Sequence, residues 1–549
     1  RPLTDVNRII QRQDGIEELT GHTTELSQLE EMLEHVFDFE RILTRIEANT
    51  TSPKDLLALK ASLGMIPEIK KLLSGTVSIV LRKLSDQMDI HSTVYELLDR
   101  SMNENGTGNI RDGKYIKEGY SAELDEVRSL SENSRKWIAD LEEREKEKTG
   151  IKLKIGFNNV FGYYFEITNA NKVPIPEYYM RKQTLVNAER YITPELKEFE
   201  TKALSAKEKT EELELKIYQA VKAAIRPEIA AMQRTAKALA ALDCLTGLSR
   251  AALKDRYVRP QITNSREGRI SIHDGRHPMV EHALKREMFV PNDTELNHTD
   301  QEMIIITEPN MAGKSTYMRQ VAVLTIMAQT GSFIPAKSAS FAPVDRIFTR
   351  VGAADDISTG QSTFMVEMKE VSHILCNATK NSLILLDEIG RGTSTYDGMS
   401  IARAVVEYLN AKVHAYTLFA THYHELSDMA AENEHIKNYT VTVKERGKEI
   451  TFLRRIVPGS ADKSYGIHVA RLAGLPESLL KRADEILEGL EVEGIKEEPA
   501  APVIRRETAL NLFSSPIIDE LVDLDVMSKT PIEAMEILFR LSKEAKEGR

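Results

Sequence analysis

Residues 303–320 read MIIITEPNMAGKSTYMRQ, and their reading decides the fold. The run from Met303 to Thr307 is short and apolar, as in a buried strand. Gly313, Lys314, Ser315 and Thr316 then open a helix. A strand, a turn and a helix N-terminus make a phosphate loop, because the first backbone N–H groups of the helix point at the phosphates. Such a loop needs a lysine for the β- and γ-oxygens and a hydroxyl for magnesium, and Lys314 and Ser315 fit those roles. The pattern G-x-x-x-x-G-K-[ST] wants glycine where Glu308 stands, so the match is incomplete.

Two further strand ends strengthen the assignment. SLILLDEIGRGTSTYDG, 382–398, is an apolar strand ending in Asp387 and Glu388. The aspartate would hold the magnesium shell, and the glutamate would orient or deprotonate an attacking water. AYTLFATHYHEL, 415–426, brings His422 to a third strand end, where it can contact a γ-phosphate. A lone histidine is more often a hydrogen-bonded core residue. Here three strand ends converge at the carboxyl edge of one sheet, where nucleotide sites form. Apolar runs alternating with helical stretches over 258–490 predict a parallel α/β layer fold.

Upstream, residues 1 to about 115 read as helical. Apolar residues recur at heptad-like spacing from Leu26 to Ile46, and Ser52 before Pro53 has the form of an N-cap. A charged helix is predicted over 122–148, a strand pair over 152–168, and a second long helix from Thr193 towards Ala251 with Pro227 interrupting it. Residues 491–508 are charged, proline-bearing and aperiodic, as in a linker, and a helical tail follows.

Composition sets outer bounds. The chain has 549 residues, enough for about three to five domains. Its 41% hydrophobic and 29% charged content fits globular domains. Net charge is −11, which excludes a globally basic nucleic-acid coat and makes any such contact local. Aromatics are 6%, too few for a broad base-stacking surface. Two cysteines, Cys244 and Cys376, exclude a disulfide scaffold and fit a reducing cytosol. No apolar run is long enough to span a membrane. The chain opens with Arg1 and shows no leader, so it reads as a fragment or processed chain.

Taken together, TEPNMAGKSTYMRQ, RVGAADDISTGQSTFMVEM (350–368), DEIGRGTSTYDG and FATHYHEL resemble the ATPase domain of the MutS family of DNA mismatch repair proteins. DFERILTRI (38–46) resembles that family's core domain. NNVFGYYFEIT (158–168) with YMRKQTLVNAERYITPELKEFE (179–200) resembles its DNA clamp, and KSYGIHVARLAGLP (463–476) its helix-turn-helix. The resemblance implies a multidomain α plus α/β protein, in which long helical levers carry a small β-rich clamp and precede an ABC-type P-loop ATPase domain. The expected boundaries are a helical core at 1–121, a lever at 122–150, the clamp at 151–192, a returning lever at 193–257, the ATPase domain at 258–454, a helix-turn-helix dimerisation region at 455–490, a linker at 491–510 and a helical tail at 511–549.

The resemblance also implies roles. Asn310, Met311, Ala312, Gly313, Lys314, Ser315 and Thr316 would bind ATP, with Ser315 and Asp387 on Mg2+. Lys314, Glu388 and His422 would be catalytic. Phe289 would stack on adenine, the alternative being a core phenylalanine. Ser362 would reach a partner subunit's nucleotide in trans, the alternative being an ordinary N-cap. Lys152, Lys154, Asn158, Asn159, Arg181, Lys182, Asn187 and Arg190 would position duplex DNA by its backbone. Expected partners are double-stranded DNA, a second copy of the chain or a tetramer through the tail, a MutL-type repair factor, and the replication sliding clamp through ALNLF at 509–513. The expected setting is the cytoplasm and nucleoid.

Two departures from the family pattern qualify this. Glu308 is expected to weaken ATP binding and turnover, and the family's mismatch-reading N-terminal domain has no counterpart in the sequence. The alternative functions are a relative that acts on recombination junctions and a hydrolysis-impaired structural clamp.

Overall fold

In the computed structural model, Ser52 accepts a hydrogen bond from the Asp55 N–H at 3.2 Å, and the Asp55 carboxylate accepts from the Ser52 N–H at 2.9 Å. This reciprocal capping box opens a helix with Pro53 at its first position. The structure describes residues 1–494 except 107, 159–161, 265–267, 285–287, 308–312, 352–361, 447–448 and 461–465, and beyond 494 only Arg540.

The N-terminal helices are α1 (Val6–Gly21), α2 (Thr23–Glu34), α3 (Phe39–Glu47), α4 (Pro53–Leu73), α5 (Ile79–Gln87) and α6 (Ser92–Ser101). The apolar spacing from Leu26 to Ile46 crosses a break between α2 and α3, because Asp38 accepts from the Arg41 N–H and restarts the helix. Next comes α7 (Ala122–Thr149), which begins at the capping Ser121 and stops at Gly150 with φ +70°.

An antiparallel sheet follows, made of β1 (Leu153–Asn158), β2 (Gly162–Thr168), β3 (Met180–Thr184) and β4 (Ala188–Ile192) in the order β1-β2-β4-β3. The strand pair expected over 152–168 is half of it. Leu153, Phe165, Ile167 and Tyr191 pack with Leu141 of α7 and Leu196 of the following helix, α8 (Pro194–Ile225). Trp137 of α7 stacks on Phe199 of α8 at 3.9 Å, so the two helices lie side by side.

Pro227 sits in a 3₁₀ turn between α8 and α9 (Ile229–Lys254). The stretch expected as one returning lever therefore divides. Met232, Leu239, Leu242 and Leu245 of α9 share a buried core with Leu29, Leu43, Leu59 and Leu81, so α9 is a central helix of the N-terminal region.

The remaining elements are β5 (Gln261–Ile262), β6 (Arg269–Gly275), α10 (Pro278–Ala283), β7 (Asn292–Asn297), β8 (Met303–Thr307), α11 (Lys314–Thr330), β9 (Ser338–Phe341), β10 (Ile347–Arg350), α12 (Thr363–Asn377), β11 (Leu383–Asp387), α13 (Thr395–Tyr408), β12 (Tyr416–Thr421), α14 (Met429–Glu432), β13 (Ile436–Arg446) and β14 (Glu449–Pro458). Strands β10-β11-β12-β8-β13 are parallel, and β14 adds antiparallel to β13. Strand β14 thus carries the sheet past the boundary expected at 454.

Alternate residues of each buried strand serve two cores. Ile304, Ile306, Leu383 and Leu385 pack with Val321 and Leu324 of α11 and with Ile270 and Phe341 of a second sheet, ordered β5-β9-β6-β7. Ile305, Ile384 and Leu386 pack with Val371 of α12 and with Ala402 and Val406 of α13.

The helical region is stitched to this layer by polar bonds. Gln13 Nε2 donates to Pro260 O at 3.0 Å, Arg12 Nη1 to Thr330 O at 2.8 Å and Gln329 Nε2 to Leu3 O at 3.0 Å.

From Ala470 onward the chain forms a second compact unit. Its described part is the end of α15 (Gly466–Leu472), a turn with Gly474 at φ +84°, and α16 (Glu477–Gly494). Helix α16 runs four residues into the stretch expected as linker. The rest of that stretch and the tail with 509–513 lie outside the described residues, Arg540 apart. No helix among the described residues is long and apolar enough to cross a membrane.

Candidate active site

Register brings three strand ends together. Thr307 at the end of β8 pairs with Thr421 of β12, and Ala420 of β12 pairs with Asp387 of β11. Helix α11 starts beside them, with Gly313 at φ +98° as its N-cap, a conformation that glycine adopts without strain. Lys314 is buried, and its Nζ donates to Thr421 O at 3.4 Å. Ser315 Oγ donates to Asp387 Oδ2 at 2.5 Å and ties the helix start to the β11 strand end. Thr316 is half-buried in the same turn.

Burial pushes the Asp387 carboxyl above its usual value, and Glu388 adds to this. The Ser315 hydroxyl, Lys314 and Arg319 pull the other way without prevailing. The second oxygen, Oδ1, is buried with no hydrogen-bond partner among the described residues. A hydroxyl plus a carboxylate with an open oxygen is a donor set for a hard divalent cation, so Ser315 and Asp387 fit Mg2+.

Glu388 follows in the left-handed region at φ +55°, an uncommon and costly conformation for glutamate. Its N–H donates to Ala420 O at 2.9 Å, and its carboxylate pairs with Arg391. The half-buried His422 ring lies against Tyr423 at 4.1 Å, with Nδ1 buried and without a described partner. Burial lowers the His422 pKa, Arg391 and Lys314 lower it further, and Glu388 and Glu425 oppose them, so the imidazole is neutral at pH 7.

The structure therefore gathers Lys314, Ser315, Asp387, Glu388 and His422 at one sheet edge. Glu308, Asn310, Met311 and Ala312 lie outside the described residues. Ser362 is the exposed N-cap of α12 and accepts from the Met365 N–H at 3.2 Å. Phe289 is half-buried in the loop before β7.

Sequence reasoning missed Glu367, Gly390, Gly398 and Tyr423. Tyr423 OH donates to Gly390 O at 3.1 Å, and the Gly390 N–H donates to Glu367 Oε1 at 2.6 Å. A Cβ on Gly398 would stand 2.1 Å from Gly390 O. All four lie in motifs that were read, but a lone buried acid in a helix leaves no signature.

The residues expected to meet DNA are on the β1–β4 sheet and its loops. Lys152, Lys154, Arg181, Lys182 and Asn187 are exposed, Asn158 is half-buried, and Asn159 is outside the described residues. Arg190 differs. It donates to Glu166 at 3.2 Å and to Gln183 at 2.9 Å, and it lies 4.2 Å over the Tyr164 ring. Its guanidinium is thus partnered within the sheet. Arg181 pairs with Glu189 at 3.2 Å across an exposed edge.

Comparison with known proteins matches MutS domain V to residues 304–491 and MutS family domain IV to residues 119–209. DNA mismatch repair protein MutS of Caldicellulosiruptor bescii is 48% identical over 556 residues, which cover 99% of this chain and 64% of that protein. The proteins of the same name from Clostridium kluyveri and Acetivibrio thermocellus are 47% and 46% identical, each over 100% of this chain and 64% of their own length. The chain thus spans about 64% of the length of these curated relatives. Two matched domains and close similarity along its whole length show that the chain belongs to the MutS family.

Proposed function

We propose that this chain is a MutS-type ATPase, in which ATP binding and hydrolysis at the carboxyl edge of the six-stranded sheet gate a DNA clamp built on β1–β4. The observation that carries this reading is the Ser315–Asp387 hydrogen bond at 2.5 Å, next to buried Lys314 at adjoining strand ends. The N–H groups at the start of α11 receive the phosphates, and the Lys314 charge offsets those of the β- and γ-oxygens. Mg2+ on Ser315 and Asp387 would neutralise charge on the transferring phosphoryl group. Glu388 takes the proton of the attacking water, and ADP and phosphate leave. His422, neutral, reads the γ-phosphate with a ring N–H. Glu308, at the loop's first glycine position, would add a negative charge to a phosphate-binding loop and so weaken binding.

Ser362 would complete a partner subunit's site in trans, in a dimer with one nucleotide between two subunits. The helices α7 and α8 would serve as levers between the ATPase region and the clamp. Each is long, with 28 and 32 residues or about 42 and 48 Å. Lys152, Lys154 and Lys182, exposed on the clamp, would contact the duplex backbone in nucleoid DNA. A MutL-type factor and the sliding clamp, through 509–513, would be downstream partners. The relatives carry the name DNA mismatch repair protein, which favours this reading over one of recombination junctions.

The test is ATP hydrolysis by the 549-residue chain with magnesium, with and without duplex DNA. Lys314→Ala is expected to abolish nucleotide binding and phosphate release together. Unchanged turnover in that variant would overturn the assignment.

A further inference from the structure

Gly390, two residues after Glu388, is gripped from three sides. Its N–H is held by Glu367 Oε1 at 2.6 Å, its carbonyl by the Tyr423 hydroxyl at 3.1 Å, and Gly398 packs so closely that a Cβ on Gly390 would stand 2.4 Å from Gly398 O. Glu367 is 5% exposed, and its other oxygen faces Arg350 Nη2 at 3.4 Å. A buried carboxylate is expensive unless its hydrogen bonds are made, and this one makes its shortest bond to the backbone of the loop that follows Glu388.

Helix α13 restarts the chain at Ser394, so residues 388–393 form an irregular loop with no ladder to fix it. Glu388 at φ +55° holds that conformation only if its surroundings over-determine it. Ala420 pins the Glu388 N–H on one side, and the Gly390 peptide is the pin on the other.

We propose that Glu367 is a positioning residue for hydrolysis, which sets the Glu388 carboxylate by holding the Gly390 peptide to α12. This rests on the assignment of Glu388 as general base. The same helix begins at the exposed N-cap Ser362, five residues or about 7.5 Å of rise from Glu367. A shift of α12 when Ser362 meets a partner's nucleotide would thus be delivered to the Glu388 loop through one side chain. Tyr423, beside His422, holds the Gly390 carbonyl in the next peptide group.

The experiment is a double-mutant cycle on the full chain, with single-turnover phosphate release and ATP affinity measured separately. Glu367→Ala should slow hydrolysis by ~10²-fold, the usual cost of a misplacement of about 1 Å, while ATP affinity stays near wild type. Glu367→Gln keeps an acceptor for the Gly390 N–H and should recover most of the rate. In a Glu388→Gln background, Glu367→Ala should cost nothing more, because it acts only through Glu388. Multiplying losses, or a parallel loss of ATP affinity, would overturn the proposal. If Glu367→Ala does not fold, Tyr423→Phe removes only the hydroxyl that holds the Gly390 carbonyl, and it too should slow hydrolysis with no effect on affinity. A normal rate in that variant would count against the gripped peptide. A Glu388→Gln chain that still hydrolyses ATP would sink the assignment of the base itself, whereas a stalled Glu388→Gln beside an active Glu367→Ala would sink only the positioning role.

Discussion

Two carboxylates, one buried and one half-buried, stand at opposite edges of the six-stranded sheet, and their fates differ. Glu302 lies just before β8 at the amino edge and is 6% exposed. His414 Nδ1 and His298 Nδ1 stand 3.0 and 3.5 Å from its two oxygens. Burial opposes its ionisation, but the bonds from His298 and His414 outweigh burial, and its pKa falls below the usual value. Asp387 at the carboxyl edge has one hydroxyl partner and an orphaned oxygen, and there burial wins. One acid finds its hydrogen-bond partners within its own chain, and the other keeps an oxygen without a partner among the described residues. Electrostatic completeness, more than burial, separates Glu302 from the acid proposed to hold the metal.

The largest expected effect falls at the carboxyl edge. Glu388→Gln should slow ATP turnover by ~10²–10⁴-fold with nucleotide binding retained, as loss of a general base does. Glu302→Gln, measured in the same assay, should leave turnover at its wild-type value. Equal losses would erase the distinction between the two edges.

Stability should show the reverse. Glu302→Ala strips two imidazoles of their shared acceptor and should cost about 1–3 kcal/mol in urea unfolding. A midpoint unchanged from wild type would mean that the cluster is decorative.

The pH dependences should have opposite signs. The folded pKa of Glu302 is depressed, so its contribution is present above the ordinary glutamate value of 4.5 and is lost as pH falls through the folded value. The folded pKa of Asp387 is raised, so stability declines as pH rises from 3.8 through the folded value. Asp387→Asn is therefore expected to melt higher than wild type at neutral pH without nucleotide, while losing magnesium-dependent turnover. A lower melting temperature would show that the carboxylate is already satisfied.

The smallest effects belong to charges in open solvent. Lys154→Ala should weaken duplex binding uniformly across sequences and reduce the slope of log K against log salt by about 1. Arg190→Ala should instead lower the stability of the β1–β4 sheet, since that arginine bridges Glu166 and Gln183. A salt slope changed by Arg190→Ala and untouched by Lys154→Ala would reverse the assignment of the two.

What the sequence disclosed follows from the same physics. Strands β8, β11 and β12 are buried on both faces, so they read as continuous apolar runs; Asp387, Glu388 and His422 stand at the ends of β11 and β12, and Lys314 and Ser315 open α11 after β8. The second sheet stayed hidden because strands such as RISIHDG and NDTELN mix polar and apolar residues over a few positions. The central place of α9 was hidden by its alanines, which leave apolar residues all around the helix and single out no face. Arg190 and Glu367 look in sequence like any surface charge, and only their partners show otherwise. A helix start told of Ser362 only that it could cap, and the structure finds it capping.

The polar stitching between the helical region and the α/β layer sets how this molecule can be taken apart. Gln13, Arg12 and Gln329 spend their side chains on carbonyls across that junction. A cut that separated residues 1–257 from the rest would strand those groups and bare the facing surfaces of α1 and α11. Expressed alone, either piece would be a sticky half-protein, and swapping modules between relatives would succeed only if both sides of the seam were exchanged together.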